Sequence, residues 1–182
     1  LALYGATVQV GAVFLPLNTA YTAEEVGYFI ADATPRLVVC TGGARAALTP
    51  MAARVGAALL TVEDDDSGTL AKAASGQPGT FATVPRAEVD LAALLYTSGT
   101  TGRSKGAMMT HRNLLSNAEA LVDLWQITAR DRLIHALPVF HTHGLFVALN
   151  TALLAGAAVR LMGRFDLDQV IAEIPRSTLM MG

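Results

Sequence analysis

The stretch Leu91-Ala92-Ala93-Leu94-Leu95-Tyr96-Thr97-Ser98-Gly99-Thr100-Thr101-Gly102-Arg103-Ser104-Lys105-Gly106 changes character part-way along. Its opening, Leu91 to Tyr96, is an unbroken apolar run of strand length, the pattern of a strand buried on both faces. From Thr97 to Gly102 the chain switches to four hydroxyl residues and two glycines. A buried strand therefore feeds straight into a Ser/Thr/Gly loop, and Lys105 follows directly behind it.

Outward from this stretch, helix-like and strand-like segments alternate. That alternation predicts an α/β architecture, with layered, largely parallel sheets flanked by helices. Upstream, residues 1–10 read as a helix stopped at Gly11 and residues 12–17 as a short strand. Residues 22–33 read as a helix whose cap is Thr22, with Glu25 completing a capping box. Pro35 closes it, and a buried strand (37–40), a helix (44–55) and a strand (57–62) follow. Residues 63–90 contain Glu63-Asp64-Asp65-Asp66-Ser67-Gly68 and Ser75-Gly76-Gln77-Pro78-Gly79, turn-rich runs that predict mostly surface loop. This connection (63–90) separates a first α/β portion (1–62) from the portion carrying the chemistry (91–182).

Downstream, Thr110 is placed to cap a helix reaching Trp125. Leu114, Leu115, Ala118, Leu121, Val122 and Trp125 recur at the helical period and form one apolar stripe. Residues 133–137 read as a strand ending at Pro138, residues 144–154 as an apolar helix ended by Gly156, and residues 157–162 as another strand. Asp166 caps a last helix, with Gln169 at the capping-box position, and residues 178–181 open a further strand.

Composition narrows the function. The chain has 182 residues, 52% of them hydrophobic and 15% charged, a packed globular composition far from disorder. Its net charge is −2, and no two of its 13 Lys and Arg residues are adjacent. Nucleic-acid or anionic-membrane partners need clustered basic residues, so neither is expected. The apolar start is interrupted by Thr7 and Gln9 and is too short to span a bilayer. The lone cysteine, Cys40, sits in an apolar run and reads as a buried structural thiol in a reducing compartment, the cytoplasm. The chain starts at Leu1 and ends within the apolar run Leu179-Met180-Met181-Gly182, so it reads as an internal fragment of a larger protein. Met108, Met109, Met180 and Met181 read as core filler.

The loop itself has the physics of a polyphosphate cradle. Glycines let the backbone approach an anion, and hydroxyl and amide donors can point at it. Lys105 adds a mobile full charge, and charge-assisted hydrogen bonds to phosphate are about twice as strong as neutral ones. It is not the Gly-x4-Gly-Lys-Ser/Thr loop, because five residues on from Gly99 lies Ser104 and Lys105 is followed by Gly106. A hydroxyl-rich surface linker is the competing reading by composition alone, and the order of the residues tells against it.

Tyr-Thr-Ser-Gly-Thr-Thr-Gly-x-x-Lys-Gly resembles the phosphate-loop signature of the adenylate-forming superfamily of acyl-CoA synthetases, luciferases and peptide-synthetase adenylation domains. The continuation Ala107-Met108-Met109-Thr110-His111-Arg112-Asn113-Leu114 resembles the same family. So do Leu137-Pro138-Val139-Phe140-His141-Thr142-His143-Gly144-Leu145 and the early segment Gly11-Ala12-Val13-Phe14-Leu15-Pro16-Leu17-Asn18-Thr19-Ala20-Tyr21. Ser104 stands where most members carry Pro, which implies a slightly freer loop.

The resemblance implies part of the large N-terminal domain of a two-step ligase, which joins a carboxylate to AMP and passes the acyl group to coenzyme A. It implies ATP phosphates held by Thr97, Ser98, Gly99, Thr100, Thr101, Gly102, Arg103, Ser104 and Lys105. Thr100 or Thr101 would help hold Mg²⁺, Thr101 and Lys105 would act at the reacting phosphates, and His141 would gate the thiol. His141 and His143 would line the acyl pocket. For this pair two other readings stand. One is metal ligation, with only His111, His135 and Cys40 as further donors; the other is simple capping of the next helix.

Two imidazole donors suit a polar or carboxylated substrate better than a fatty chain. With the wording around His141-Thr142-His143, this makes the chain look like the malonyl-CoA synthetase branch. A malonate pocket also needs a cation, expected beyond Gly182. The acidic residue completing the Mg²⁺ site, the ribose-binding Asp, the hinge and the mobile C-terminal domain with its catalytic Lys are expected elsewhere in the enzyme, so the fragment alone should be inactive. The alternatives are a fatty-acyl or aryl-CoA ligase, an amino-acid adenylation domain, or a non-catalytic phosphate-binding module. His111 and Arg112 read as solvated unless they face phosphate.

Overall fold

A computed structural model describes residues 1–97 and 104–181. In chain order it contains α1 (Ala2–Gln9), α2 (Ala23–Ala33), β1 (Leu37–Cys40), α3 (Arg45–Arg54), β2 (Ala58–Thr61) and α4 (Thr69–Ala74). There follow β3 (Leu91–Thr97), β4 (Lys105–Thr110), α5 (His111–Trp125) and β5 (Arg132–His135). A π-helical segment (His143–Leu149) runs into α6 (Asn150–Leu154), and β6 (Ala158–Leu161), α7 (Leu167–Glu173) and β7 (Leu179–Met181) complete the order. The chain divides into two compact units, Thr19–Ala82 and Leu1–Asn18 with Thr83–Gly182.

In the Thr19–Ala82 unit, β1 and β2 pair in parallel, Leu37 opposite Ala58 and Cys40 opposite Thr61. The capping box of α2 is complete: the Glu25 amide donates to Thr22 Oγ1 and the Thr22 amide donates to Glu25 Oε2 at 2.8 Å. Two donors orphaned by the helix start are thereby satisfied. Phe29 and Ile30 of α2 are buried, as are Leu48 and Ala52 of α3. Cys40 is half-buried rather than fully buried, and burial pushes its thiol up, opposed by the nearby Arg45.

Helix α4 lies inside the stretch expected to be mostly loop. It is anchored by reciprocal bonds, Thr61 amide to Thr69 Oγ1 (2.8 Å) and Thr69 amide to Thr61 Oγ1 (3.1 Å). The run Leu70-Ala71-Lys72-Ala73-Ala74 consists of good helix formers, so the turn-rich runs on either side, rather than the segment itself, carry the loop expectation.

In the other unit, β5 is the centre of a three-stranded parallel sheet, flanked by β6 and β7. β3 and β4 form an antiparallel hairpin. Among the described residues, that hairpin is the one exception to parallel pairing. The expected strand at 12–17 is reduced to a bridge: the Phe14 amide donates to Ala92 O and the Leu94 amide to Phe14 O, both at 2.9 Å. Pro16 has no N–H with which to extend such a ladder. Helix α1 is held by Tyr4, whose hydroxyl donates to Asn150 Oδ1 at 3.1 Å and whose ring packs against Phe14 and Phe146. Burial raises the Tyr4 phenol, and the Asn150 bond acts in the opposite sense.

The core beneath the hairpin joins Ala92, Ala93 and Leu95 of β3 to Leu114 of α5 and to Leu145, Phe146 and Leu149 of the π-helical segment. A second cluster, with Leu133, Ala148, Ala152 and Ala157, packs the same segment against β5.

Candidate functional site

Two structures carry the sequence-predicted site residues, the β3–β4 hairpin and the turn between β5 and the π-helical segment. Ser98, Gly99, Thr100, Thr101, Gly102 and Arg103 lie outside the described residues. What is described is the pair of stems that deliver them. β3 enters the loop as a buried strand, Ala93 being 0% exposed and Leu95 7%. Thr97 is its last residue and stands opposite Lys105, the first residue of β4. Both Thr97 and Lys105 are exposed, while Ser104 between loop and strand is half-buried. The described part of the hairpin thus combines a buried apolar β3 with two exposed polar ends, Thr97 and the cationic Lys105.

No linker separates β4 from α5. Thr110 ends the strand and caps the helix: the Asn113 amide donates to Thr110 Oγ1 (3.1 Å) and the Thr110 amide to Asn113 Oδ1 (3.0 Å). The first amides of α5 are used up by the preceding turn, His111 donating to Asp90 O and Arg112 to Glu88 O. The Arg112 guanidinium pairs with Glu88 at 3.3 Å, both side chains about 70% exposed. Exposed pairs of this kind add little.

The histidine turn is built from the end of β5. The His141 amide donates to Pro138 O at 3.2 Å, the His143 amide to His141 Nδ1 at 3.4 Å, and the Leu145 amide to His141 O at 3.0 Å. His141 is exposed and His143 half-buried. Gly144 is buried where no side chain fits: a Cβ would overlap the Pro138 carbonyl oxygen and lie 3.2 Å from Leu137 Cβ. The Asn150 amide bonds Leu145 O, five residues back, so the expected single α-helix begins instead as a π-helical turn. π-turns are rare and occur mostly as local insertions, frequently at functional sites.

A further imidazole, which the sequence offers only as a remote metal donor, lies against this turn. His135, the last residue of β5, is 1% exposed, and its Nε2 lies 2.7 Å from Gly144 O. The signal available was a lone imidazole closing the apolar strand Leu133-Ile134. Among the described residues there is no group of three or more His, Cys, Asp or Glu placed to hold a metal ion, and no helix long and apolar enough to cross a membrane.

The sequence of residues 1–181 matches the AMP-binding enzyme family from end to end. The chain belongs to the AMP-binding enzymes. It is 34% identical over 177 residues to the mitochondrial malonate–CoA ligase ACSF3 of Mus musculus, covering 94% of this chain and 30% of that protein. It is 35% identical over 170 residues to an oxalate–CoA ligase of Arabidopsis thaliana, covering 90% of this chain and 33% of the relative. Among solved structures, ATP-bound MatB from Rhodopseudomonas palustris is 53% identical with a TM-score of 0.96, over 99% of this chain and 36% of MatB. The chain therefore spans about a third of the length of the relatives it matches.

A charged hairpin tip and an imidazole-bearing turn rise from one shared core, in which Leu95 of the first packs with Leu145 and Phe146 of the second. Displacement of either element is resisted by the same close packing.

Proposed function

We propose that this chain is the phosphate-loop and acyl-pocket part of the large N-terminal domain of an ATP-dependent acid–thiol ligase. The enzyme activates malonate or methylmalonate as acyl-AMP and transfers the acyl group to coenzyme A. The observation that carries the reading is the hairpin, with Thr97 and Lys105 paired at its tip, in a chain that matches ATP-bound MatB at a TM-score of 0.96.

A carboxylate oxygen of the substrate attacks the α-phosphorus, and the bond to the bridging oxygen of pyrophosphate breaks. Thr97, Ser98, Gly99, Thr100, Thr101, Gly102, Arg103 and Ser104 would donate to the phosphate oxygens, and Lys105 would neutralise the charge growing on the departing pyrophosphate. Such catalysis is mostly positioning and charge stabilisation. The loop hydroxyls and the phosphates are hard oxygen donors that fit Mg²⁺. Thr100 and Thr101 would help hold that ion, which supplies further charge neutralisation when bound. The coenzyme A thiol then gives up its proton to solvent, its sulfur bonds to the acyl carbon, and the bond from that carbon to the AMP phosphate oxygen breaks, releasing AMP. His141 would gate the thiol's approach, and His143 would contact the acyl group.

The choice of a short dicarboxylate rests on the two imidazoles and on the names of two relatives, a malonate and an oxalate ligase. A lone half-buried thiol suits a reducing compartment such as the cytoplasm; the mouse relative's name places that protein in mitochondria.

Isotopic ATP–pyrophosphate exchange on the full-length enzyme tests the proposal, with malonate, methylmalonate, acetate, octanoate and amino acids as substrates. Exchange driven by malonate or methylmalonate, with acyl-CoA formed on adding coenzyme A, is the expected result. Exchange driven by octanoate or an amino acid instead would reassign the pocket, and none with any carboxylate would remove the ligase reading.

A further inference from the structure

We propose that His135 is a positioning residue for the acyl pocket, holding the His141–His143 turn through a hydrogen bond to the Gly144 carbonyl; this rests on the ligase reading above. The imidazole occupies a site where an aliphatic side chain would be expected. Its strand neighbours Leu133 and Ile134 are 0% and 1% exposed, and it is itself 1% exposed. Burying a polar ring is unfavourable unless it is hydrogen-bonded. The compensation seen is the 2.7 Å contact of Nε2 with Gly144 O. A carbonyl only accepts, so Nε2 carries the proton and the ring orientation is set.

Both ends of this contact are fixed. The His135 backbone is paired with Leu161 of β6 and Met181 of β7, and its carbonyl accepts from the Met162 amide at 2.9 Å. Gly144 lies against the Pro138 carbonyl on its Cα side. The turn is thus gripped twice, by Pro138 against the Cα and by His135 at the oxygen, just where the backbone passes from exposed His141 to buried Leu145. His135 Nδ1 has no partner among the described residues. The ring's influence therefore passes through a single donor, and a side chain presenting one N–H at the same reach should replace it.

The test uses the full-length enzyme with His135→Leu, which removes the donor, and His135→Gln, which keeps an amide N–H. Pyrophosphate exchange gives KM for malonate and for ATP separately, and hydrogen–deuterium exchange is followed on peptides covering residues 138–146. For His135→Leu the malonate KM should rise roughly tenfold or more, in the range seen when positioning partners are removed. The ATP KM should stay within about twofold, because the phosphate loop hangs on the other element. Amides of the turn should exchange faster, and His135→Gln should restore both readouts.

An unchanged malonate KM in His135→Leu overturns the inference. So does an equal loss of both KM values that His135→Gln fails to rescue, which a purely structural role would give. If the wild-type enzyme shows no exchange with any carboxylate, it is the ligase reading that fails. The deuterium readout then decides the grip of His135 on the turn alone: protection lost in His135→Leu and kept in His135→Gln supports it, and unaltered protection removes it.

Discussion

Thr97 and Lys105 are partners on the last rung of the β3–β4 hairpin, so the residue that opens the hydroxyl-rich loop stands beside the cation that closes it. Directly opposed residues on antiparallel strands lie about 4.5–5.5 Å apart at Cα. The pairing therefore sets a hydroxyl-bearing residue and a cationic one side by side where the two strands meet the loop. Lys105 is exposed. Lys105→Ala in the full-length enzyme should cut malonate-dependent pyrophosphate exchange by about 10²–10³-fold, the size of losing one transition-state donor. The melting temperature should move by no more than a degree or so. Turnover at the wild-type level would leave the loop as an anion nest with no part in the chemistry.

Gly144→Ala probes the other element. The new methyl group would meet the Pro138 carbonyl, backbone that cannot swing away. Overpacking of this kind typically destabilises by about 1–3 kcal/mol. Urea unfolding of the variant should show that loss, and a raised malonate KM should accompany it because the histidine turn is displaced.

Thr110 serves two elements at once, ending β4 and capping α5. Thr110→Ala should destabilise by about 1 kcal/mol, the usual value of a lost cap. Thr110→Ser should recover most of it. A chemical-denaturation series that ranks the serine variant with the alanine one would show that the hydroxyl is not what matters.

The caps were legible because they are local: Thr22 with Glu25 and Asp166 with Gln169 announce themselves within four residues. The parallel pairs were legible as apolar runs bounded by turns. β4 was not, since Lys105-Gly106 reads as the tail of a loop and its strand character comes from pairing with Leu91–Thr97. The π-helical turn is not legible either: Gly144–Leu154 has the apolar content of any buried helix, and the departure shows only in the bond from the Asn150 amide to Leu145 O. Of the candidate site, the sequence names the loop and the His141–His143 pair; Ser98 to Arg103 of the loop lie outside the described residues, and the structure places His141 exposed and His143 half-buried. His135 could not be read in this way, because its role depends on a contact nine residues away along the chain.

Asp131 predicts a pH effect. Its carboxylate accepts from the Thr128 amide at 2.7 Å, from Thr128 Oγ1 and from Thr178 Oγ1 at 2.8 Å. These bonds, the Thr128 amide foremost, hold its pKa below the ordinary carboxylate value. A depressed folded-state pKa gives stability that is present above the unfolded value, near 4, and is lost as pH falls through the folded one. The wild-type protein should thus lose stability more steeply than Asp131→Asn as pH drops from about 5 to 3. Parallel acid-denaturation curves for the two proteins would contradict this.

The bond between Tyr4 and Asn150 joins residues 146 positions apart. At a synthesis rate of 5–20 residues per second, Asn150 is made roughly 7–30 s after Tyr4. Throughout that interval the aromatic face formed by Tyr4 and Phe14 lacks Phe146, the ring that completes it. The Thr19–Ala82 unit, contiguous in sequence, has all its strands and helices to hand long before. Nascent chains should therefore carry a structured Thr19–Ala82 unit while α1 still waits undocked. Ribosome-bound chains ending between residues about 100 and 140 should accordingly be cut by protease near α1, and chains extended well past residue 150 should resist.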